Sequence, residues 1–524
     1  MRFPRATGYA LQVFCIANLV LSIGPSVRSQ EGPPFVNPPS VTSSDGVLNT
    51  TLTIGPATVS VAGVPFTSNV YNSLYAPPVL RVWPGDVIRL KLINNISTNQ
   101  TTNLHYHGFA VSPLPPSDNI YLKIPHSGGT YNYTLNMPRN HARGLFWYHP
   151  HPHGMSEEQV LGGLSGVMIV EGLLQDNFPK LVGITERIML LKDIELTSLP
   201  TLSRTSPCYP SDTEAKVKTI NGLCNPTIQI APNEIQFWRL ANIGADAYFN
   251  LQLPGIQMFV IAVDGNTTKT PIEVSNYLLP PGARVEMLVI GGPAGKYQLS
   301  SIDYDTGPAG DPNPNVPLAT LVSAGPAVKN VPFDKPTSGA MGRQRVFPTI
   351  EQVLGSKITG QRTFTFSENG AGDQFCINQC QYDMNRVDTT VNVGDVERWT
   401  LLNTSGEVHA FHIHQLDFVV IEINGVAQTP TGLQDTVNLP IQVGNTPGQV
   451  KIIVPFLEPT IAGKFVYHCH ILEHEDGGMM ANILVLPREP SARKRILDQV
   501  NAGSQQHEHS RQQPCIPCVD SKRK

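Results

Sequence analysis

The chain has 524 residues and a formal net charge of −4, and only 15% of its residues are charged. At roughly 150 residues per domain this length predicts about three domains, and the low, nearly balanced charge excludes a basic nucleic-acid binder and a highly charged disordered chain. Its 44 Gly and 46 Pro exceed average usage without reaching low complexity, which points to turn-rich all-β structure.

In chain order, residues 1–29 read as a signal peptide. Arg2 and Arg5 precede an apolar run over 10–23 that is too short to span a bilayer. No later apolar run is long enough either, so the protein is expected to be secreted, extracellular or periplasmic, with no membrane span. Export implies an oxidising compartment. Cys208 and Cys224 flank a polar loop and predict a disulfide, and Cys376 with Cys380 is a further expected pair. Seven cysteines follow the signal peptide, an odd number, and Cys469 is the one given another role.

One pattern occurs three times, at 84–94, 232–242 and 393–403. Each copy has an acidic residue (Asp86, Glu234, Asp395) eight positions before an Asn (Asn94, Asn242, Asn403), with alternating apolar residues between, which reads as turn then strand. A second repeat follows at 144–151, 295–302 and 463–470. Three homologous domains are therefore expected, each a sandwich of antiparallel strands. Their bounds fall near 30–172, 173–335 and 345–489, with a Pro/Gly-rich linker around 325–342. Beyond Pro487 the chain is polar and basic, so 490–524 is expected to be a disordered tail. There, His507-Glu508-His509 and Cys515-Ile516-Pro517-Cys518 are compatible with copper, but a disulfide or an idle segment is favoured. The sequons at Asn95 and Asn132 matter only in a eukaryotic host.

The 15 histidines are clustered. The first domain carries His105-Tyr106-His107 and His149-Pro150-His151, the third carries His409, His412-Ile413-His414 and His468-Cys469-His470, and the middle domain has none. Single buried histidines are usually core residues, but four His-x-His pairs read as metal ligands. Residues i and i+2 of a strand share a face, so each pair clamps metal from one side, and Cys469 and His409 face away from the neighbouring pairs. His409, Cys469 and His474 form a His₂Cys set with Met479 as candidate axial ligand, the signature of a blue-copper centre. The other eight form an all-imidazole site where the first and third domains meet. The middle domain has Ser301 in the place of Cys469, and Asp246, Phe249 and Leu251 in the places of His409, His412 and His414. It reads as a spacer.

These four motifs, in this order, resemble the three-domain multicopper oxidases of laccase-like, bacterial type. The resemblance implies three consecutive cupredoxin-like Greek-key β-sandwich domains and four coppers per chain. It assigns type 2 copper to His105 and His412. The type 3 pair takes His107, His149, His151, His414, His468 and His470, and type 1 takes His409, Cys469, His474 and Met479. A reducing substrate would give single electrons at His474, Cys469 would pass them to its neighbours, and O₂ would be reduced to water. Asp118 and Glu475 stand where the family keeps acidic groups near the cluster and are the candidate proton donors. His153 has no family counterpart and is expected to form a hydrogen bond.

The expected partners are a small-molecule reducing substrate and O₂, with no nucleic acid, and the expected state is a monomer. Three functions compete. The first is an oxidase of phenols, aromatic amines or similar donors. The second is a metallo-oxidase of Cu(I) or Fe(II), ranked lower because the 11 Met are scattered, with a bilirubin-oxidase-like enzyme beside it. The third, a copper-free scaffold, conflicts with the retention of every ligand position.

Overall fold

The computed structural model describes residues 32–329, 348–369, 372, 374–504 and 515–518. The expected signal peptide, most of the linker and the tail motif His507-Glu508-His509 lie outside them. Six β-sheets group in chain order into three sandwiches. In the first, a four-stranded sheet (Val64–Tyr71, Val47–Val61, Val87–Asn94, Gly129–Asn136) shares one apolar core with a five-stranded sheet ending in Gly144–His149 and His105–His107. The second and third each pair a six-stranded with a five-stranded sheet. The fold is all-β, of the three-domain cupredoxin type.

The strands are not all antiparallel. Val47–Val61 runs parallel to Val87–Asn94, Glu186–Ile194 to Ile235–Asn242, and Gly360–Glu368 to Asp395–Asn403. Parallel neighbours need a crossover. In the first sandwich Val79–Val82, which belongs to the opposite sheet, lies between the two parallel strands in sequence.

The threefold repeat has a hydrogen-bonding cause. Its acidic residue closes the turn before the strand: Asp86 accepts from Trp83 N, Glu234 from Ala231 N and Asp395 from Asn392 N, at 2.8, 2.7 and 2.8 Å. The Asn that ends each strand is fully buried. Its Oδ1 accepts the amide two residues on, from Ile96, Gly244 or Ser405, while Nδ2 donates to carbonyls of a facing loop. A buried amide so satisfied fixes where the chain leaves the sheet.

The tail departs from expectation. Pro490–Ser504 is a helix, with Glu489 accepting from Ser491 N and Ala492 N at its start. Ile496, Leu497 and Val500 form a helical stripe that packs with Leu484 and Leu486. Burial of that stripe outweighs the polar composition. Cys208 pairs with Cys224 as expected, but Cys376 bonds Cys518 and Cys380 bonds Cys515. The tail lies along the hairpin that carries Cys376 and Cys380, with Gln381 N donating to Ile516 O (3.0 Å) and Cys518 N to Gln379 O (3.2 Å). Cys376 and Cys380 are therefore not partners. Instead each meets a cysteine of the tail segment 515–518.

The two tail bonds close nearly the same loop, of 142 and 135 residues. Replacing one pair by Ser should cost little because the other still closes the loop, whereas replacing both should cost about 4–5 kcal/mol. Calorimetry of the third-sandwich transition in the two single-pair variants and the double one checks this, and non-reducing peptide mapping checks the pairing.

Candidate metal centre

Strand pairing positions the candidate ligands. Gly463–Cys469 lies antiparallel to His409–Ile413, with Phe411 opposite Cys469 and His412 opposite His468. Opposed residues share a face, so His409 and Cys469 point into the third sandwich while His412, His414, His468 and His470 point out of it. In the first sandwich His105 is paired with His149 in the same way.

On the inward face, Cys469 Sγ lies 3.7 Å from His409 Nδ1 and 3.6 Å from His474 Nδ1, and the two Nδ1 atoms are 3.1 Å apart. Cys469 is buried and has no disulfide partner. The outer nitrogens are held from behind, His409 Nε2 by Ser405 Oγ (2.8 Å) and His474 Nε2 by Glu407 Oε2 (3.3 Å). Phe375 stacks on the His474 ring at 4.3 Å. Met479 is fully buried in the same apolar cluster as Cys469, while its neighbour Met480 packs with Ile120, Tyr382 and Val466.

On the outward face the eight remaining histidines form one buried cage between the first and third sandwiches. His105 stacks on His414 at 3.7 Å and His107 on His412 at 3.8 Å. Each ring that makes a hydrogen bond leaves its second nitrogen for the interior. His105 Nε2, His107 Nδ1, His149 Nε2, His412 Nε2 and both nitrogens of His470 have no protein partner, and His468 Nε2 lies 3.4 Å from His151 Nε2 and 3.1 Å from His414 Nε2. Such orphaned, buried acceptors are costly unless a cation takes them up. Groups of three bring their donor atoms within 4.8 Å of one another: His105, His107 and His149; His105, His412 and His414; His151, His414 and His468; and His409, Cys469 and His474. This donor set fits copper. Burial first, then mutual repulsion, holds His105, His107, His414 and His470 far below the ordinary imidazole value, so they stand neutral, as ligands must.

Both acidic candidates lie against the cage. Asp118 reaches His105 Nδ1 (3.0 Å) and accepts from Tyr106 N and Gln415 Nε2, and burial pushes its carboxyl up to about 8. Glu475, whose carboxyl burial also pushes up, is 3.4 Å from both His151 Nδ1 and His468 Nδ1 and accepts from Ser156 Oγ. His153 is outside the cage, exposed, and makes a ring contact with Tyr382 (4.8 Å) instead of the expected hydrogen bond. Sequence reading missed Glu407, Ser405, Asp435 and Arg284. None of them carries a spacing signal, since Ser405 and Glu407 lie in the bend before the strand that begins at His409.

A cavity of about 140 Å³ opens beside His474, lined by Asp246, Tyr248, Glu368, Phe375, Glu407 and Glu473 among others. The middle sandwich, read as a spacer, builds part of this wall. Asp246 accepts from Leu472 N and Glu473 N at 3.1 and 3.3 Å and so anchors the loop that bears His474.

A cysteine-bearing His₂Cys site inside the third of three cupredoxin-like sandwiches, with an imidazole cage at its border with the first, defines a copper protein of the three-domain oxidase class. Profiles of the multicopper oxidase family match residues 53–174, 203–326 and 355–489. The chain belongs to the multicopper oxidases, which are copper oxidoreductases. It is 27% identical to a multicopper oxidase of Staphylococcus haemolyticus over 423 residues, 79% of this chain and 83% of that one. It is 26% identical over 433 residues to the cell division protein FtsP of Escherichia coli, 79% of this chain and 85% of that one. A solved multicopper oxidase from Campylobacter jejuni, described as a metallo-oxidase, superposes with a TM-score of 0.68 at 25% identity, over 87% of this chain and 95% of that one.

Asp118 gives a test of the cage wall. In Asp118→Asn the Gln415 side chain can turn its unpartnered Oε1 toward the new amide, so stability should change by less than about 1 kcal/mol. Asp118→Ala leaves Tyr106 N and Gln415 Nε2 unpaired, at about 1–3 kcal/mol each. Urea unfolding of the metal-free variants measures the difference, and equal losses would contradict this hydrogen-bonding account.

Proposed function

We propose that the protein is a laccase-like multicopper oxidase, coupling one-electron oxidations of phenolic, aromatic amine or similar donors to four-electron reduction of O₂ to water. In this reading each chain holds four coppers. Type 1 sits at His409, Cys469, His474 and Met479, type 2 at His105 and His412, and the type 3 pair at His107, His149, His151, His414, His468 and His470. The observation that carries it is the set of orphaned, buried ring nitrogens converging beside a His₂Cys triad. The packing of Met479, but not Met480, with Cys469 supports the choice of axial residue. Retention of the whole set speaks against a copper-free scaffold.

When bound, copper supplies electron acceptance and O₂ reduction. The chain's own groups do the rest. His474, covered by Phe375 and Glu407, presents its ring edge toward the cavity. Cys469 is joined directly by backbone to His468 and His470, the shortest covalent link between the two ligand sets. Asp118, with its carboxyl near 8, keeps a proton beside His105 Nδ1 at neutral pH, and Glu475 keeps one beside His151 and His468. The signal-like leader and three disulfides support a location outside the cytoplasm. No helix among the described residues is long and apolar enough to cross a membrane.

The cavity's carboxylates favour donors that carry positive charge or N–H groups, and disfavour a dianion such as bilirubin. This lining also supports the second reading, oxidation of Cu(I) or Fe(II), to which the metallo-oxidase relative lends weight. Relative kcat/KM values for an aromatic amine, a phenol, Fe(II), Cu(I) and bilirubin decide between them. Amines or metal ions should exceed bilirubin, and their rates should fall as salt rises. Cys469→Ser should abolish the blue band and turnover while leaving the eight-histidine cage able to bind copper. A retained blue band would remove the type 1 assignment.

A further inference from the structure

The middle sandwich reaches the imidazole cage through the turn at 280–284. Gly282, at φ +87°, approaches so closely that a Cβ would lie 2.8 Å from the His470 ring and 3.2 Å from the His107 ring. Two residues on, fully buried Arg284 donates from both terminal nitrogens to Asp435 at 2.7 Å each, and from Nε to Leu145 O of the first sandwich at 3.2 Å. Its backbone N–H goes to Asp264 Oδ1 (2.8 Å), and Asp264 Oδ2 accepts from Asp435 N and Thr436 N (both 3.2 Å). Asp435 Oδ1 lies 3.2 Å from His107 Nε2.

We propose that Arg284 and Asp264 are positioning residues for the copper cage, locking the Asp435 carboxylate on His107 Nε2 so that His107 offers Nδ1 to the metal. This rests on reading the eight-histidine cage as a copper site. A carboxylate only accepts, so Nε2 must carry the ring proton and Nδ1 keeps its lone pair. His107 Nδ1 is the nitrogen left without a partner. Asp435 sets a second ligand in the opposite sense: His412 Nδ1 donates to the Asp435 backbone carbonyl at 2.8 Å, which leaves His412 Nε2 free. One residue thereby fixes two tautomers. Its side chain is wholly buried and needs a buried cation to stay ionised, and a guanidinium fork holds the carboxylate plane where a lysine would not. Gly108 keeps the space open, since a Cβ there would lie 2.5 Å from Arg284 and 2.7 Å from Asp435.

The test uses Arg284→Lys and Asp435→Asn in the full chain. In metal-free protein labelled with ¹⁵N-histidine, His107 should show a fixed Nε2–H tautomer in the wild type and lose it in both variants. On copper titration, affinity at the cage, read by the near-ultraviolet shoulder, should fall about 10- to 100-fold, while the blue band and its anaerobic reduction rate stay unchanged. An unaltered tautomer and cage affinity in Asp435→Asn overturns the proposal, as does parallel loss of both centres, which marks Arg284 as inter-domain glue alone. If a single variant fails to fold, Arg284→Met/Asp435→Leu removes both charges together and is read in its place. A weakened cage beside an intact blue centre then supports the proposal, and an intact cage overturns it. A wild type that binds no copper overturns the copper reading instead, and the metal-free tautomer measurement still decides the positioning role.

Discussion

Two strands of the third sandwich, His409–Ile413 and Gly463–Cys469, are paired in one register, with Phe411 opposite Cys469 and His412 opposite His468. Because side chains alternate across a strand, this register sends one His and one Cys inward and four His outward from the same two strands. A slip of one residue would exchange the faces, placing the thiol among the imidazoles and the outward histidines in an apolar core. Large buried groups on the inward face, Phe411, Ile413 and Tyr467, make that slip prohibitive. Core packing thus determines both the membership of the two candidate ligand sets and their closeness, since Cys469 is covalently adjacent to a cage histidine on each side.

The cage depends on the same packing at a second level. Its imidazoles come from two sandwiches, and burying them leaves more ring nitrogens than the protein can satisfy. Hydrogen bonds from outside therefore select which nitrogen is left over. Backbone carbonyls do this for His149, His412 and His468, and the Asp435 carboxylate does it for His107. The ring orientations are set before any metal arrives, which lowers the reorganisation needed on binding.

Much of this was legible in the sequence because it follows from periodicity. The His-x-His spacing, the inward parity of His409 and Cys469, and the acid-to-Asn repeat each express a strand period of two. The tail was illegible for a different reason. Polar composition outvotes a three-residue apolar stripe in any window average, and Cys376 lies nearer in sequence to Cys380 than to its real partner Cys518. Spacing gives the cost of closing a loop, not the position of a segment that arrives 135 or more residues later. Arg284 and Asp435 were hidden likewise, since a lone buried Arg and a lone Asp, 151 residues apart, make no pattern until the sandwiches meet.

The middle sandwich shows how a domain that lacks ligands still shapes the chemistry of its neighbours. At the positions aligned with His412 and His414 it has Phe249 and Leu251, both absorbed into its own core. At the position aligned with His409 it has Asp246, which did not become core. Lys216 lies 3.2 Å from this carboxylate, which also receives two amides of the loop bearing His474. Tyr248, next but one, enters the third sandwich's core and walls the cavity. Where the third sandwich opens its strand with the candidate ligand His409, the middle one uses the bend before the equivalent strand to hold the loop that bears His474. Equivalent positions therefore supply a candidate metal ligand in one domain and part of the wall of the cavity beside His474 in the other, where Asp246, standing in place of an imidazole, adds one carboxylate to those of Glu368, Glu407 and Glu473.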